Sequence, residues 1–247
     1  MSSLSRYSSG FIKGQKLYIG TSNGILLIYE LSEDMSSTTL LYSKKSFSKF
    51  SIEQLEVIAE LSLLICLSGG YVSIYEVESL ALQNVLVSGG ASRFAVYRQV
   101  EMINEIPTLI TKVAIGARKK LLFYAWKDTQ FIDVKDLVIP DKLLAVVWCN
   151  SRCLALGFPK EYLIVDAVTG HVTELFPVSK GKPLLTKIGF EEQLLIGKES
   201  NSSLMKQTLA FMWDLMEVLA EDQEFNGATF QNKLRFVLLL YWLCYQK

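Results

Sequence analysis

A chain of 247 residues, half of them hydrophobic, is long enough for one large domain or two small ones with a sizeable buried core, which excludes a disordered polypeptide. Its 25 Lys+Arg balance 25 Asp+Glu, so no net field draws it to nucleic acid or to an anionic membrane from a distance, and any basic partner surface is local. The four cysteines, Cys66, Cys149, Cys153 and Cys244, are irregularly spaced with no C-x-x-C, which argues against a disulfide scaffold and a zinc site and fits a reducing, cytosolic compartment.

Residues 1–15 are Ser-rich and polar and contain no apolar core of signal-peptide length, so they read as a flexible, frayed start with no sign of secretion. From Lys16 a pattern begins that returns along the chain. With Gly20, Cys66, Gly116, Gly157 and Gly197 as anchors, apolar residues sit three and one before each anchor and mostly six and eight after it. The copies are Leu17, Ile19, Leu26 and Ile28; Leu63, Ile65, Val72 and Ile74; Val113, Ile115, Leu122 and Tyr124; Leu154, Leu156, Leu163 and Val165; and Leu194, Ile196 and Met205, where Ser203 breaks the pattern.

Period-two alternation on both sides of a short polar turn marks an antiparallel hairpin with a buried face. The turns align as Thr21-Ser22-Asn23-Gly24, Leu67-Ser68-Gly69-Gly70 and Ala117-Arg118-Lys119-Lys120. A hairpin recurring every 40 to 50 residues leaves room for two more strands per copy, which is the blade repeat of a β-propeller. The expected fold class is therefore all-β and propeller-like, with about five recognisable and incomplete blades in a domain over residues 16–205. Residues 206–247 change texture. Thr208–Asp222 places Leu209, Met212, Trp213, Met216, Leu219 and Ala220 at helical spacing, an amphipathic helix suited to covering a blade edge. The apolar run Leu234–Tyr245 is 12 residues long, where a spanning helix needs roughly 20, and reads as a buried strand or short helix rather than a transmembrane segment.

Chemistry is sparse. The single histidine, His171, falls in a Thr-Gly-His turn, which suits a solvated position better than a nucleophile's base. There is no phosphate loop, dinucleotide fingerprint, H-E-x-x-H or calcium loop, and Gly69-Gly70 and Gly89-Gly90 read as turns. Asp128, Asp133, Asp136 and Asp141 are spread over 14 residues and read as surface groups. No catalytic, cofactor or metal site is expected, and no nucleic-acid partner. Trp126 and Trp148 are expected to pack between strands or blades. Arg118, Lys119 and Lys120 in the third hairpin turn, with Lys127 on the next strand, are expected to form a compact positive patch. It either protects a strand edge or meets an acidic partner, GTPase or membrane surface.

From about Leu17 to Gly197 the chain also resembles the N-terminal citron homology (CNH) domain of the vacuolar protein sorting-associated protein 39 family. The resemblance is carried by KLYIGTSNGILLIYEL (Lys16–Leu31), KKLLFYAWKDTQF (Lys119–Phe131) with its Trp126-Lys127-Asp128, the Trp148-Cys149 pair followed by LALGF, the strand YLIVD, and Glu174-Leu175-Phe176-Pro177. The transforming growth factor-β receptor-associated protein is similar in the hairpins and the L-F-P, and a receptor-associated adaptor or a propeller hydrolase are the alternative readings. The resemblance implies a non-enzymatic subunit of the HOPS or CORVET tethering complexes. Its partners would be other tethering subunits and a Rab-family small GTPase. It would be cytoplasmic and peripherally associated with late endosome, lysosome or vacuole membranes. Departure from the family pattern is expected near Lys198.

Overall fold

Every sheet of the computed structural model is antiparallel and runs in sequence order. The first holds β1 (Tyr7–Lys13), β2 (Lys16–Thr21), β3 (Leu26–Leu31) and β4 (Thr38–Lys44); the second holds β5 (Ile52–Ile58), β6 (Leu63–Ser68), β7 (Tyr71–Glu76) and β8 (Leu82–Ser88). The third holds β9 (Ala91–Ile103), β10 (Ile106–Ala117), β11 (Lys120–Lys127) and β12 (Gln130–Val138), and the fourth β13 (Ala145–Trp148), β14 (Cys153–Gly157), β15 (Glu161–Asp166) and β16 (Val172–Pro177). A last pair, β17 (Lys182–Ile188) and β18 (Gln193–Glu199), starts a fifth blade. First strands of successive sheets are neighbours, β1 beside β5, β5 beside β9, β9 beside β13 and β13 beside β17, so the sheets stand side by side as propeller blades.

The structure describes residues 7–13, 16–32, 37–177, 182–188 and 193–199, with side chains over 16–32 and 37–175. All of them belong to the first of two compact units, Met1–Ala210. Met205, Cys244, the helix expected over Thr208–Asp222 and the apolar run Leu234–Tyr245 lie outside the described residues.

Three cores lie between successive blades, and strand periodicity explains how one strand serves two of them. Every residue of β6 is buried. Its Leu64 and Cys66 join Tyr18, Leu26 and Ile28 of the first blade, while Leu63, Ile65 and Leu67 join Phe94, Val113 and Ile115 of the third. Ala114, Leu121 and Phe123 then meet Trp148, Leu154, Leu156 and Leu163 of the fourth. Alternate side chains of a strand point to opposite faces, so a strand sandwiched between blades is buried on both, and β6 is apolar at every position but Ser68. Gly116 is a close approach in the last of these cores, since a Cβ there would come within 2.5 Å of Leu143 Cδ2.

The hairpins form where the repeat places them, but two details of the repeat change. Pairing of Leu67 with Val72 matches that of Gly116 with Leu121 and Gly157 with Tyr162, counted from each turn, so the second copy is anchored at Leu67 and not at Cys66. A one-residue slip exchanges faces. Leu63 and Ile65 therefore look toward the third blade, while Val113 and Ile115 look back at them in the same core. In the first copy the turn is Ser22-Asn23-Gly24, closed by Thr21 N–H donating to Ile25 O at 3.0 Å. That extra residue pairs Tyr18 with Ile28 and Leu17 with Tyr29, so half-buried Leu17 and Ile19 lie on the face opposite buried Leu26 and Ile28. The start of the chain is also corrected: β1, inside the segment expected to be frayed, pairs with β2 from Lys13–Lys16 to Tyr7–Thr21.

Each complete blade carries one further repeated feature that the hairpin pattern does not contain. The ladder between third and fourth strands skips Leu41, Leu86, Val134 and Leu175 in turn, and Gln83 as well in the second blade, so every outer strand is bulged at least once. Outer strands are sheet edges, and a bulge interrupts the row of backbone groups that another strand would pair with.

Candidate interaction surface

Hairpin turns and blade connections meet at one end of the sheets, where the backbone hydrogen bonds into a continuous lacing. Ser48 N–H donates to Gly24 O at 2.9 Å, and Ser68 Oγ donates to Ser51 O at 2.8 Å, so the first connection is held by the turns of both flanking blades. Gly24 has φ +73° and no room for a Cβ, which would lie 2.0 Å from Ser48 O. The next connection repeats the arrangement, Ala91 N–H to Gly70 O at 3.0 Å and Arg118 N–H to Gly90 O at 2.9 Å. In the third, Ile139 N–H donates to Lys119 O at 3.0 Å and Leu144 N–H to Gly157 O at 2.9 Å. Polar backbone at the end of the blades is thereby satisfied by these backbone bonds together with serine and threonine hydroxyls such as Ser48 Oγ, which accepts from Phe50 N–H at 3.1 Å.

The expected basic turn sits in this lacing, and its cations have different surroundings. Arg118 takes φ +57° and lays its stem over Gly90, whose hypothetical Cβ would stand 2.9 Å from Arg118 Cγ. Lys119 is exposed, its carbonyl used by Ile139. Lys120 is the first residue of β11 rather than part of the turn, and its Nζ lies 2.5 Å from Asp136 Oδ2. That hydrogen bond and charge hold the Asp136 carboxyl below the usual carboxylate value. Lys127 closes the other end of the eight-residue β11, roughly 23 Å away at about 3.3 Å per residue, so the structure does not bring it to the turn. The positive site is Arg118 and Lys119, with Lys120 paired beside them.

The motif residues have structural places. Half-buried Trp126 faces Phe131 across the β11–β12 turn, rings 5.1 Å apart and edge-on, while Asp128 adopts φ +57° at the turn itself, a conformation Asp tolerates better than most residues. Trp126-Lys127-Asp128 is thus a tight hairpin tip. Trp148 is buried between the third and fourth blades, donates from Nε1 to Ala95 O at 3.1 Å and packs against Tyr97 and Phe123. In β16, exposed Glu174 pairs with Leu163, half-buried Leu175 is the bulge, and the backbones of Phe176 and Pro177 pair with Tyr162 and Glu161. His171 is exposed at its turn. Among the described residues no three His, Cys, Asp or Glu side chains gather, and no helix is long and apolar enough to cross a membrane.

Sequence reasoning missed the contacts between first strands. Gln54 Nε2 donates to Phe94 O at 2.7 Å and its Oε1 accepts from Phe94 N–H at 3.1 Å, a two-point clamp from β5 onto the backbone of β9. Four residues along β9, Arg98 donates to Val57 O at 3.2 Å and lies 3.5 Å from Glu60. Burial pushes the neighbouring Glu56 carboxyl up to about 7, against the pull of the Arg98 charge. Alternation alone gives no sign of such pairs, because the partners are about 40 residues apart in sequence.

Above this root, β9 and β10 continue as a ribbon. β11 pairs with β10 only from Lys112 to Ala117, so over residues 98–111 the strands β9 and β10 form a ladder only with each other. Asn104 and Glu105, φ +51° and +66°, form a two-residue turn of type I′ sign between Ile103 and Ile106. Val100, Met102 and Ile106 are 61, 67 and 64% exposed, so large apolar side chains stand exposed on this ribbon.

Comparison with known proteins agrees with this architecture. Residues 13–214 match the model of the CNH domain. The mouse Vam6/Vps39-like protein is 26% identical over 232 residues, covering 84% of this chain and 26% of that protein. The Arabidopsis thaliana vacuolar sorting protein 39 is 26% identical over 217 residues, covering 76% of this chain and 19% of that protein. The chain thus spans about a quarter or less of the length of the curated relatives it matches. Among solved structures, the AfRom2 CNH domain superposes with a TM-score of 0.54 at 18% identity, over 80% of this chain and 67% of the other. The family match runs through residue 214, beyond the departure expected near Lys198. With four antiparallel blades, a fifth begun, and this match over most of its length, the chain belongs to the CNH domain family and has its sequence relatives among the Vps39 proteins.

Proposed function

We propose that this chain is a non-catalytic protein-interaction module of a vacuolar-sorting tether, engaging a Rab-family GTPase and other HOPS- or CORVET-type subunits at late endosome, lysosome or vacuole membranes. The observation that carries the reading is the similarity to Vps39-type proteins over 84% of the chain, on a fold whose repeated motifs serve packing and turn geometry. Fold alone does not decide function, so the reading rests on the relatives and on the surface. Arg118 and Lys119 offer two cations on a rigid, backbone-laced turn to an acidic protein surface.

The test is retention of the full chain on an immobilised late-endosomal Rab GTPase loaded with a non-hydrolysable GTP analogue or with GDP. The expected result is retention specific to the GTP form, weaker as salt rises and reduced by Arg118→Ser with Lys119→Ser. Equal retention in the two nucleotide states would remove the GTPase from the reading. Binding to anionic vesicles without any GTPase would move the basic turn to a membrane contact.

A further inference from the structure

The β9–β10 ribbon differs from the other described first-to-second-strand connections. β5 and β6 are joined through Ala59–Leu61, and β13 has only four residues before its connection, whereas β9 runs to 13 residues and β10 to 12. Thr111 is buried and Ile110 still packs against a core, so residues 100–109 are the part that projects past the sheet, by roughly 15 Å at about 3.3 Å per residue. An isolated two-stranded ribbon is marginal in water. This one is held by a type I′ turn at its tip and by Arg98 bonded to Val57 O and Glu60 at its root.

Its two faces are chemically different. Cross-strand pairs place Val100 with Leu109 and Met102 with Pro107 on one face, with no charge among them. The other face carries Glu101, whose Oε1 accepts from Tyr97 Oη at 3.2 Å, and Ile103 paired with Ile106 near the turn residue Glu105. Beyond the root residue Arg98, which lies 3.5 Å from Glu60, residues 99–111 hold no Lys or Arg, so every formal charge on that outer part is negative. An anionic leaflet attracts cations and repels such a tip. Addition of a partner strand is opposed by Pro107, which lacks a backbone donor, and by the charged Glu101 on the β9 strand. What the ribbon presents is a preorganised set of apolar side chains with an acidic margin.

We infer that the β9–β10 ribbon is a docking element that seats its Val100, Met102, Pro107 and Leu109 face in an apolar groove of a protein partner, whose rim carries Lys or Arg reaching Glu105 at the turn and Glu101 on the outward face. Apolar anchors at the centre with complementary charge around them is the usual division of labour in a specific interface. Because the turn and root already hold the ribbon, little ordering remains to be done on binding. The inference does not depend on the tether reading, since it uses a different surface from the basic turn.

The experiment places photoreactive benzoylphenylalanine at Met102 in the full chain, expressed in its own cells, and maps the cross-linked peptides by mass spectrometry. The expected product joins Met102 to an apolar residue of one partner protein, flanked by Lys or Arg. Glu101→Lys with Glu105→Lys should then lower the yield about tenfold or more, and reversing the flanking cations of the partner to Glu should restore it. Met102→Ser with Val100→Ser, at exposed positions of the docking face, should leave the melting temperature in place while removing that partner's co-purification. Cross-links chiefly to lipid, to a second copy of the chain or to nothing would overturn the inference, and so would a yield indifferent to the charge reversal.

Discussion

The third blade ends differently at its two extremities, although the same two strands reach both. At the Ala117 end the backbone is tied to its neighbours by Arg118 N–H on Gly90 O and Ile139 N–H on Lys119 O, and what remains exposed there is charged. At the Ile103 end the strands leave the sheet with only each other to pair with, and what is exposed is apolar. Position on a rigid frame is thus obtained in two ways: by lacing a turn to the adjacent blades, or by a type I′ turn and an anchored root on a projecting ribbon. The first suits a contact made by charge and steered from solution, and the second a contact made by burial.

The largest expected effect lies in the body between the two ends. Trp148→Ala should lower stability by about 3–5 kcal/mol in chemical denaturation, because it empties the space between the third and fourth blades and removes the donor to Ala95 O. An unchanged midpoint would mean that the blades do not depend on this contact. Next comes the ribbon root. The Glu56 carboxyl is raised from 4.5 to about 7 in the folded state, so between those values the folded chain keeps a proton that the unfolded chain gives up. Stability is then fully present below about pH 4.5 and falls as pH rises through about 7, by at most about 3 kcal/mol. Glu56→Gln should flatten that slope, measured as the melting temperature across the pH range; a slope that persists would assign it to other groups.

A smaller effect is expected at the laced end. Gly116→Ala pushes a methyl group toward Leu143 and should cost about 1–3 kcal/mol, read as a shift in denaturation midpoint, since the close-packed core must give way. Smallest of all, Met102→Ser with Val100→Ser should stay within about 0.5 kcal/mol of the parent for each position, because both side chains are exposed. A large loss there would show that the ribbon face is covered in the folded chain, which would erase the contrast between the ends.

Much of the blade architecture is legible in the sequence because hairpins leave period-two alternation around turn residues, as in Lys16–Leu31. Face assignment is not, and LLICLS shows why: a strand buried on both sides reads the same after a one-residue slip, so Cys66 could stand in for Leu67. The positive site was half legible. Consecutive Arg118 and Lys119 identify the turn, but neither the pairing of Lys120 with Asp136 across β12 nor the distance to Lys127 along β11 follows from order in the chain. The ribbon escaped because Asn104-Glu105 lacks the glycine by which type I′ turns are usually recognised.

The contrast between a laced end and a free ribbon on the same strands is tested most directly by native-state hydrogen exchange of individual amides in the full chain. The laced donors Ala91, Arg118, Ile139 and Leu144 should exchange only with global or whole-blade opening, and amides of residues 99–106 should exchange faster by about two orders of magnitude or more. Turn amides that exchange as fast as the ribbon, or ribbon amides as protected as the turns, would contradict it.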